Sequence, residues 1–76
     1  MKTNALAGFV KDQRKAVGLT QADLASQAGV GLRFIRDLEQ GKATLRMDKV
    51  NQVLALFGHK LGPIPLTAED RDGPGR

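Results

Sequence analysis

The chain has 76 residues, of which 26% are charged, and it carries a formal net charge of +4 at pH 7. It contains no cysteine, which excludes disulfides and thiolate metal sites, and no apolar run approaches the roughly 20 residues needed to span a membrane. We therefore expect one small soluble domain in the cytoplasm, with no metal ion, other cofactor or small-molecule ligand.

The basic residues are concentrated in the first part of the chain. Residues 1–65 carry ten Lys and Arg against five Asp and Glu, whereas residues 66–76 carry two against three. A basic domain of this size is typical of nucleic-acid binders. A soluble basic protein without that function would have the same composition, so charge alone does not decide between them.

Apolar spacing and capping residues predict four helices. They cover residues 5–17, 21–28, 32–40 and 47–57, and each ends at or close to a glycine, a residue suited to the left-handed backbone of a helix end. Thr3 or Asn4 is placed to cap the first helix. Thr20 and Asp23 have the spacing of a capping box, in which the hydroxyl and the carboxylate bond backbone amides at the start of the second helix.

The second and third predicted helices form one motif. The tight turn Gly29-Val30-Gly31 joins them, and Leu24, Ile35 and Leu38 are spaced to lie between them. The residues left facing outward from the third helix are Leu32, Arg33, Arg36 and Asp37. Two short helices around a glycine-containing turn, with exposed arginines on the second, are typical of a helix-turn-helix.

The sequence changes character after Gly58. Residues 59–65 contain a glycine and two prolines and cannot continue a helix, but Leu61 and Ile64 suit an extended chain or an edge strand. We expect a short C-terminal strand there. Residues 66–76 are mostly polar and contain Gly-Pro-Gly, so we expect a disordered tail, which leaves residues 1–65 as the folded domain.

The segment from Gly18-Leu19-Thr20-Gln21 to Gly41-Lys42 resembles the Xre/Cro type of phage-repressor-like DNA-binding domain, over residues 4–58. Residues 42–50 (Lys-Ala-Thr-Leu-Arg-Met-Asp-Lys-Val) and 58–63 (Gly-His-Lys-Leu-Gly-Pro) look like the HipB antitoxins. The resemblance implies an all-α, lambda-repressor-like fold of four to five helices with a short C-terminal dimerising β-strand. It also implies double-stranded operator DNA and a HipA-like serine/threonine kinase toxin as partners.

The candidate DNA contacts lie on the motif and on the loop that follows it. Arg33 and Arg36 are the best base-reading candidates, because a guanidinium can donate two hydrogen bonds to guanine in the major groove, and Leu32 is placed to contact a thymine methyl. The alternative is a solvated face in which Arg33 pairs with Asp37. The resemblance implies a phosphate contact by Gln21, and the other expected phosphate contacts are Thr20, Lys42, Thr44 and Arg46, with ordinary surface residues as the alternative. Gly31 departs from the family, which usually has Ser, Thr or Lys there, so one side-chain contact to DNA is lost.

One predicted ion pair is structural. Arg14 and Glu39 match positions at which phage-repressor-like domains place a partly buried ion pair between the first and third helices, so the resemblance implies that pair here. Removing either partner would leave an uncompensated charge.

Apolar residues near the end of the chain exceed what a four-helix core can bury. We expect them to join two copies about a two-fold axis as a two-stranded ribbon, since such pairing also satisfies the backbone of the extended segment. The expected dimer interface contains Leu56, Phe57, Lys60, Leu61 and Ile64. The alternative is a monomer in which residues 59–65 fold back over their own helices.

An enzyme is the least favoured class, because His59 is the sole histidine and the sequence has no nucleophile set, metal cluster or phosphate-binding loop. The favoured function is a sequence-specific repressor that binds its operator as a homodimer, autoregulates its operon and, as a HipB-like antitoxin, binds a HipA-like kinase toxin. The first alternative is a stand-alone Xre-family regulator without a toxin. The second is a protein-interaction module that has lost DNA binding, which Asp37 favours because a carboxylate repels phosphates.

Overall fold

Four α-helices make up the fold within residues 4–67, the part of the chain that the computed structural model describes. They are α1 (Ala5–Ala16), α2 (Gln21–Ala28), α3 (Leu32–Glu39) and α4 (Met47–Ala55). The all-α class and the start of every helix are as predicted. The predicted ends of α1, α3 and α4 lie one or two residues too far along the chain.

The helices end earlier than predicted because the α-helical hydrogen bonds stop before the glycine of positive φ that follows each of these helices. After α4, Phe57 N–H bonds Leu54 O at 2.9 Å, one residue short of helical spacing, and Gly58 adopts a φ of 71°. His59 N–H then returns to the same Leu54 oxygen at 3.0 Å. The apolar pattern continues through Phe57 because its side chain still packs on the core although its backbone is no longer helical.

Local capping explains where two of the helices begin. Asn4 Oδ1 accepts the Ala7 N–H at 2.7 Å, whereas Thr3, the other predicted cap, lies outside the described residues. The predicted capping box is confirmed: Thr20 Oγ1 accepts the Asp23 N–H and Asp23 Oδ2 accepts the Thr20 N–H, both at 3.0 Å. The hydrogen bonds from the Thr20 backbone and hydroxyl hold the pKa of Asp23 below its ordinary value.

The core lies where α3 packs against both α1 and α2, and α4 packs against α2. Its buried members are Val10, Leu24, Ala25, Ile35, Leu38, Val50, Val53 and Leu54. Leu24, Ile35 and Leu38 therefore occupy the space between the helices of the motif, as predicted. Glu39 is the one polar side chain buried among residues 4–67.

The predicted C-terminal β-strand is absent from the chain as described, because residues 59–67 contain neither strand nor helix. The segment instead lies on its own helices. Leu61 N–H donates to Asn51 Oδ1 at 2.8 Å, and the His59 ring packs on Phe9 with the ring centroids 4.6 Å apart. A strand needs a second edge to bond, and residues 4–67 contain no other strand that could offer one to this segment.

The predicted disordered tail, residues 66–76, lies outside the described residues from residue 68 onward. Within residues 4–67, no helix has the length and apolar character that crossing a membrane requires.

Candidate nucleic-acid interface

Helix α3 divides into a buried side and a solvent side. Ile35, Leu38 and Glu39 face the other helices, and Arg33 and Arg36 are exposed on the opposite side. Neither arginine has an ion pair within residues 4–67. Their guanidinium groups are therefore free to donate to a partner outside the domain.

Gln40 also lies on this solvent side, at the C-cap of α3, and was not among the predicted site residues. It follows Arg33 by seven residues, which is two helical turns. That spacing places both side chains on one face, and it is the signal that identifies Gln40 from the sequence.

Leu32 was predicted to face outward, but the structure places it partly inside. It is half-buried and packs against the core cluster, as does Phe34. Leu32 precedes the buried Glu39 by two helical turns, so it lies on the boundary between the two sides of α3. Only part of its side chain is available to a ligand.

Asp37 pairs with Lys42 and not with Arg33. Lys42 Nζ lies 3.6 Å from Asp37 Oδ2, and the Lys42 N–H donates to Asp37 O at 3.0 Å across the turn that ends α3. The negative charge on the solvent side of α3 is thus partly offset by the first basic residue after it. Asp37 is half-buried and Lys42 is exposed, so the lysine can face both the carboxylate and solvent.

The loop before α4 presents the other predicted phosphate contacts. Thr44 and Arg46 are exposed, and Arg46 holds Asp48 through two hydrogen bonds, of 3.2 Å from Nε and 2.7 Å from Nη2. These bonds, together with the positive charge of Arg46, hold the pKa of Asp48 below its ordinary value. The pair is fully at the surface, so water screens it and it adds little to stability.

The start of α2 is tied to the end of α3. Gln21 Nε2 donates to Glu39 Oε1 at 3.1 Å, and the Thr20 hydroxyl is engaged in the capping box. These two predicted phosphate contacts therefore also hold local structure. The bond from Gln21 links the two helices of the motif in addition to their packing in the core.

Arg14 and Glu39, the predicted ion pair, join α1 to α3. Arg14 Nε lies 2.7 Å from Glu39 Oε2 and Arg14 Nη2 lies 3.1 Å from Oε1, while Nη1 donates to Leu19 O at 2.9 Å. The Glu39 side chain is 2% exposed. Burial raises the pKa of its carboxyl, but the bonds from Arg14 and Gln21 and the charges of Arg14 and Lys11 outweigh burial, so the net pKa is lowered.

Gly31 begins α3 without a side-chain cap. Its φ of −75° and ψ of 153° are ordinary cap values, and a Cβ built on it meets no atom within 4 Å. A larger residue therefore fits in the folded chain at this position. The glycine leaves the first amides of α3 uncovered on the side that carries Arg33.

The predicted dimer residues fall into two groups. Leu56, Lys60 and Ile64 are exposed, whereas Phe57 and Leu61 are half-buried against their own core. The structure thus does not bring these five side chains into one exposed surface.

The sequence pattern of a protein family described as "Helix-turn-helix" matches residues 10–62, from the middle of α1 to the segment after α4. The chain belongs to the Xre-type helix-turn-helix family. It is also similar to a Sinorhizobium fredii (strain NBRC 101917 / NGR234) protein described as "Uncharacterized HTH-type transcriptional regulator y4mF". The two are 51% identical over 59 residues, which covers 76% of this chain and 78% of the relative.

Membership of this family makes the chain a DNA-binding protein of the transcription-regulator class. Helices α2 and α3 are its helix-turn-helix, and α3 is the recognition helix that enters the major groove in such domains.

Proposed function

We propose that this helix-turn-helix protein is a sequence-specific repressor that binds its operator as a homodimer. The observation that carries the proposal is the solvent side of α3, where Arg33 and Arg36 are exposed and unpaired within residues 4–67. Guanidinium groups on a major-groove helix can each donate two hydrogen bonds to guanine O6 and N7. Leu32 adds a partly exposed apolar surface suited to a thymine methyl.

The phosphate contacts of the proposal flank the recognition helix. Lys42, Thr44 and Arg46 follow α3, and Thr20 and Gln21 stand at the start of α2, where backbone amides point outward. Lys42 has a second task, since it offsets the charge of Asp37. This offset weakens the case for a protein-interaction module without DNA binding, because the carboxylate no longer meets phosphates as an isolated charge.

The experiment compares three variants on operator and random DNA at several salt concentrations. Arg36→Ala is expected to lower operator affinity by ~1–3 kcal/mol and to relax the preference at one base pair, with little effect on random DNA. Lys42→Ala is expected to weaken both DNAs alike and to reduce the slope of log K against log salt by about 1. Arg36→Lys keeps the charge but lacks the planar pair of donors, so it separates base reading from charge.

Equal losses on the two DNAs for Arg36→Ala would overturn the base-reading role of Arg36. Full operator affinity in Arg36→Lys would also count against it, because a single point charge would then be sufficient.

We further propose that the protein is a HipB-like antitoxin that represses its own operon and binds a HipA-like serine/threonine kinase toxin. The support is the resemblance of residues 42–50 and 58–63 to those antitoxins. The test is to read the neighbouring gene, to express its product alone and together with this chain, and to ask whether the pair co-purifies and toxicity disappears. A neighbour that is neither toxic nor bound leaves the alternative of a stand-alone Xre-family regulator without a toxin.

A further inference from the structure

The Asp37 carboxylate, on the solvent side of α3, has hydrogen-bonding capacity that the domain leaves unused. Lys42 Nζ lies 3.6 Å from Asp37 Oδ2, which makes an ion pair but is too long for a hydrogen bond. Within residues 4–67, neither oxygen of Asp37 accepts a hydrogen bond from a side chain or from the backbone. The side chain is 29% exposed, so a donor from outside the domain can reach the carboxylate.

The surface ion pair between Arg46 and Asp48 is a useful comparison. Arg46 bonds Asp48 at 3.2 Å and 2.7 Å, and these two bonds engage both oxygens of the carboxylate. A guanidinium pairs in this planar way, whereas an ammonium is a single point charge. Lys42 therefore offsets the charge of Asp37 and leaves its lone pairs available to a ligand.

Asp37 lies beside the two arginines that the proposed function assigns to base reading. It follows Arg33 by four residues, about one helical turn, and it follows Arg36 directly in the sequence. The solvent side of α3 thus presents two groups that can only donate hydrogen bonds and one that can only accept them. A ligand that matches this side offers acceptors to the arginines and a donor to Asp37.

The major-groove edges of the four bases differ in what they offer to a carboxylate. Cytosine presents the N4 amino group, which is a donor, and presents no acceptor there. Adenine presents a donor at N6 beside an acceptor at N7, whereas guanine and thymine present acceptors, which a carboxylate repels. Cytosine is therefore the base whose edge suits Asp37.

We propose that Asp37 is a specificity-determining residue that accepts a hydrogen bond from cytosine N4 in the operator. The inference rests on the sequence-specific DNA binding proposed above and names one base of the site. Asp37 also disfavours guanine and thymine at that position by repulsion, a contribution to specificity that neither Arg33 nor Arg36 supplies.

Lys42 permits this contact because it is close to the carboxylate and still open to solvent. Its side chain is 51% exposed, so the ammonium can donate to a backbone phosphate while it stays beside Asp37. The carboxylate then meets the phosphates of the groove as one half of a neutral pair.

Selection from a duplex DNA library with randomised positions tests the assignment. The full wild-type chain is expected to favour cytosine at one position of the selected sequence by about fivefold or more over the other bases. Asp37→Asn keeps the shape but carries a donor beside its acceptor, so the preference at that position is expected to move to adenine. Asp37→Ala is expected to lose the preference there and to keep it elsewhere.

Asp12→Asn is the matched control for net charge, because it removes the same charge from an exposed position on α1. It is expected to leave every base preference unchanged. Matching circular dichroism spectra of the variants ensure that a lost preference does not reflect a lost fold.

Lys42→Ala tests the role of the lysine in the same contact. In the wild-type background it strands the carboxylate near phosphates, so it is expected to weaken DNA binding by a larger factor than in the Asp37→Asn background. The difference between the two factors should shrink as the salt concentration rises. Equal factors in the two backgrounds at low salt would overturn this role of Lys42.

Two results would overturn the base contact. One is a cytosine preference that persists in both Asp37→Asn and Asp37→Ala. The other is an affinity gain in Asp37→Ala that is equal for all sequences, because the carboxylate would then act only by repelling phosphates. A wild-type chain that binds every member of the library alike would instead refute the proposed sequence-specific function, so the two failures are distinguishable.

Discussion

Replacement of Arg14 by Met is expected to remove a large part of the stability of this domain. The guanidinium bonds both oxygens of Glu39 and the carbonyl of Leu19. Methionine fills much of the same volume but donates nothing. Glu39, which is 2% exposed, would keep only the bond from Gln21 and would remain as a buried charge without its counterion.

The size of the loss follows from that burial. Removing one partner of a buried ion pair costs ~3–5 kcal/mol, while small domains have total stabilities on the order of 5–15 kcal/mol. At about 4–8 °C per kcal/mol for a chain of this length, the melting temperature should fall by on the order of 12–40 °C. Urea unfolding followed by circular dichroism measures the free energy, provided that the slope m is unchanged.

The double variant Arg14→Met/Glu39→Leu is the control that identifies the cause. Replacing both members of a buried pair by apolar side chains is often close to neutral, so the double variant is expected to recover most of what Arg14→Met loses. A single variant within about 1 kcal/mol of wild type would refute the reasoning. A double variant as unstable as the single would shift the cause from the stranded carboxylate to the lost bond at Leu19 O.

Two further predictions concern stability. Gly31→Ser is expected to raise the free energy of unfolding by about a few tenths of a kcal/mol, because the serine hydroxyl can cap α3 and a Cβ at this position meets no other atom. Gly31→Ala cannot cap the helix, so it should show no such gain in the same urea titration. The pKa of Glu39 is lowered in the folded state, so the stability that Glu39 contributes is complete above the ordinary value of 4.5 and is lost as the pH falls through the folded value. Acid should therefore destabilise wild type more than Arg14→Met/Glu39→Leu. Equal dependence of the unfolding free energy on pH in the two proteins would contradict this prediction.

The starts of α1 and α2 could be predicted from the sequence because each depends on a capping side chain beside it. Thr20 and Asp23 bond each other's amides within a single turn, so their types and spacing suffice. The ends could not be placed as well, since the apolar pattern records which side chains are buried and not which backbone bonds persist. Phe57 shows the difference, with its side chain on the core and its backbone in a turn.

The partners on the recognition helix could be predicted less well. Spacing along a helix allowed Arg33 to pair with Asp37, but Lys42 reaches the same carboxylate from beyond the turn at Gly41. Whether Arg33 or Lys42 pairs with the Asp37 carboxylate depends on the path of the loop after α3. The helical spacing of residues does not predict that path. The result matters for function, because it leaves Arg33 unpaired within the described residues and assigns the offset of Asp37 to a residue of the loop.

The buried ion pair also explains how so short a helix can present a defined surface to solvent. Helix α3 has eight residues, and a helix of that length is marginal in isolation. Glu39 lies at its C-terminal end, where the helix dipole disfavours a negative charge, so local preference does not account for its position. Arg14 from α1 and Gln21 from α2 account for it, since both donate to this carboxylate. Their bonds fix the rotation of α3 about its axis, and the side opposite Glu39 is the one that carries Arg33.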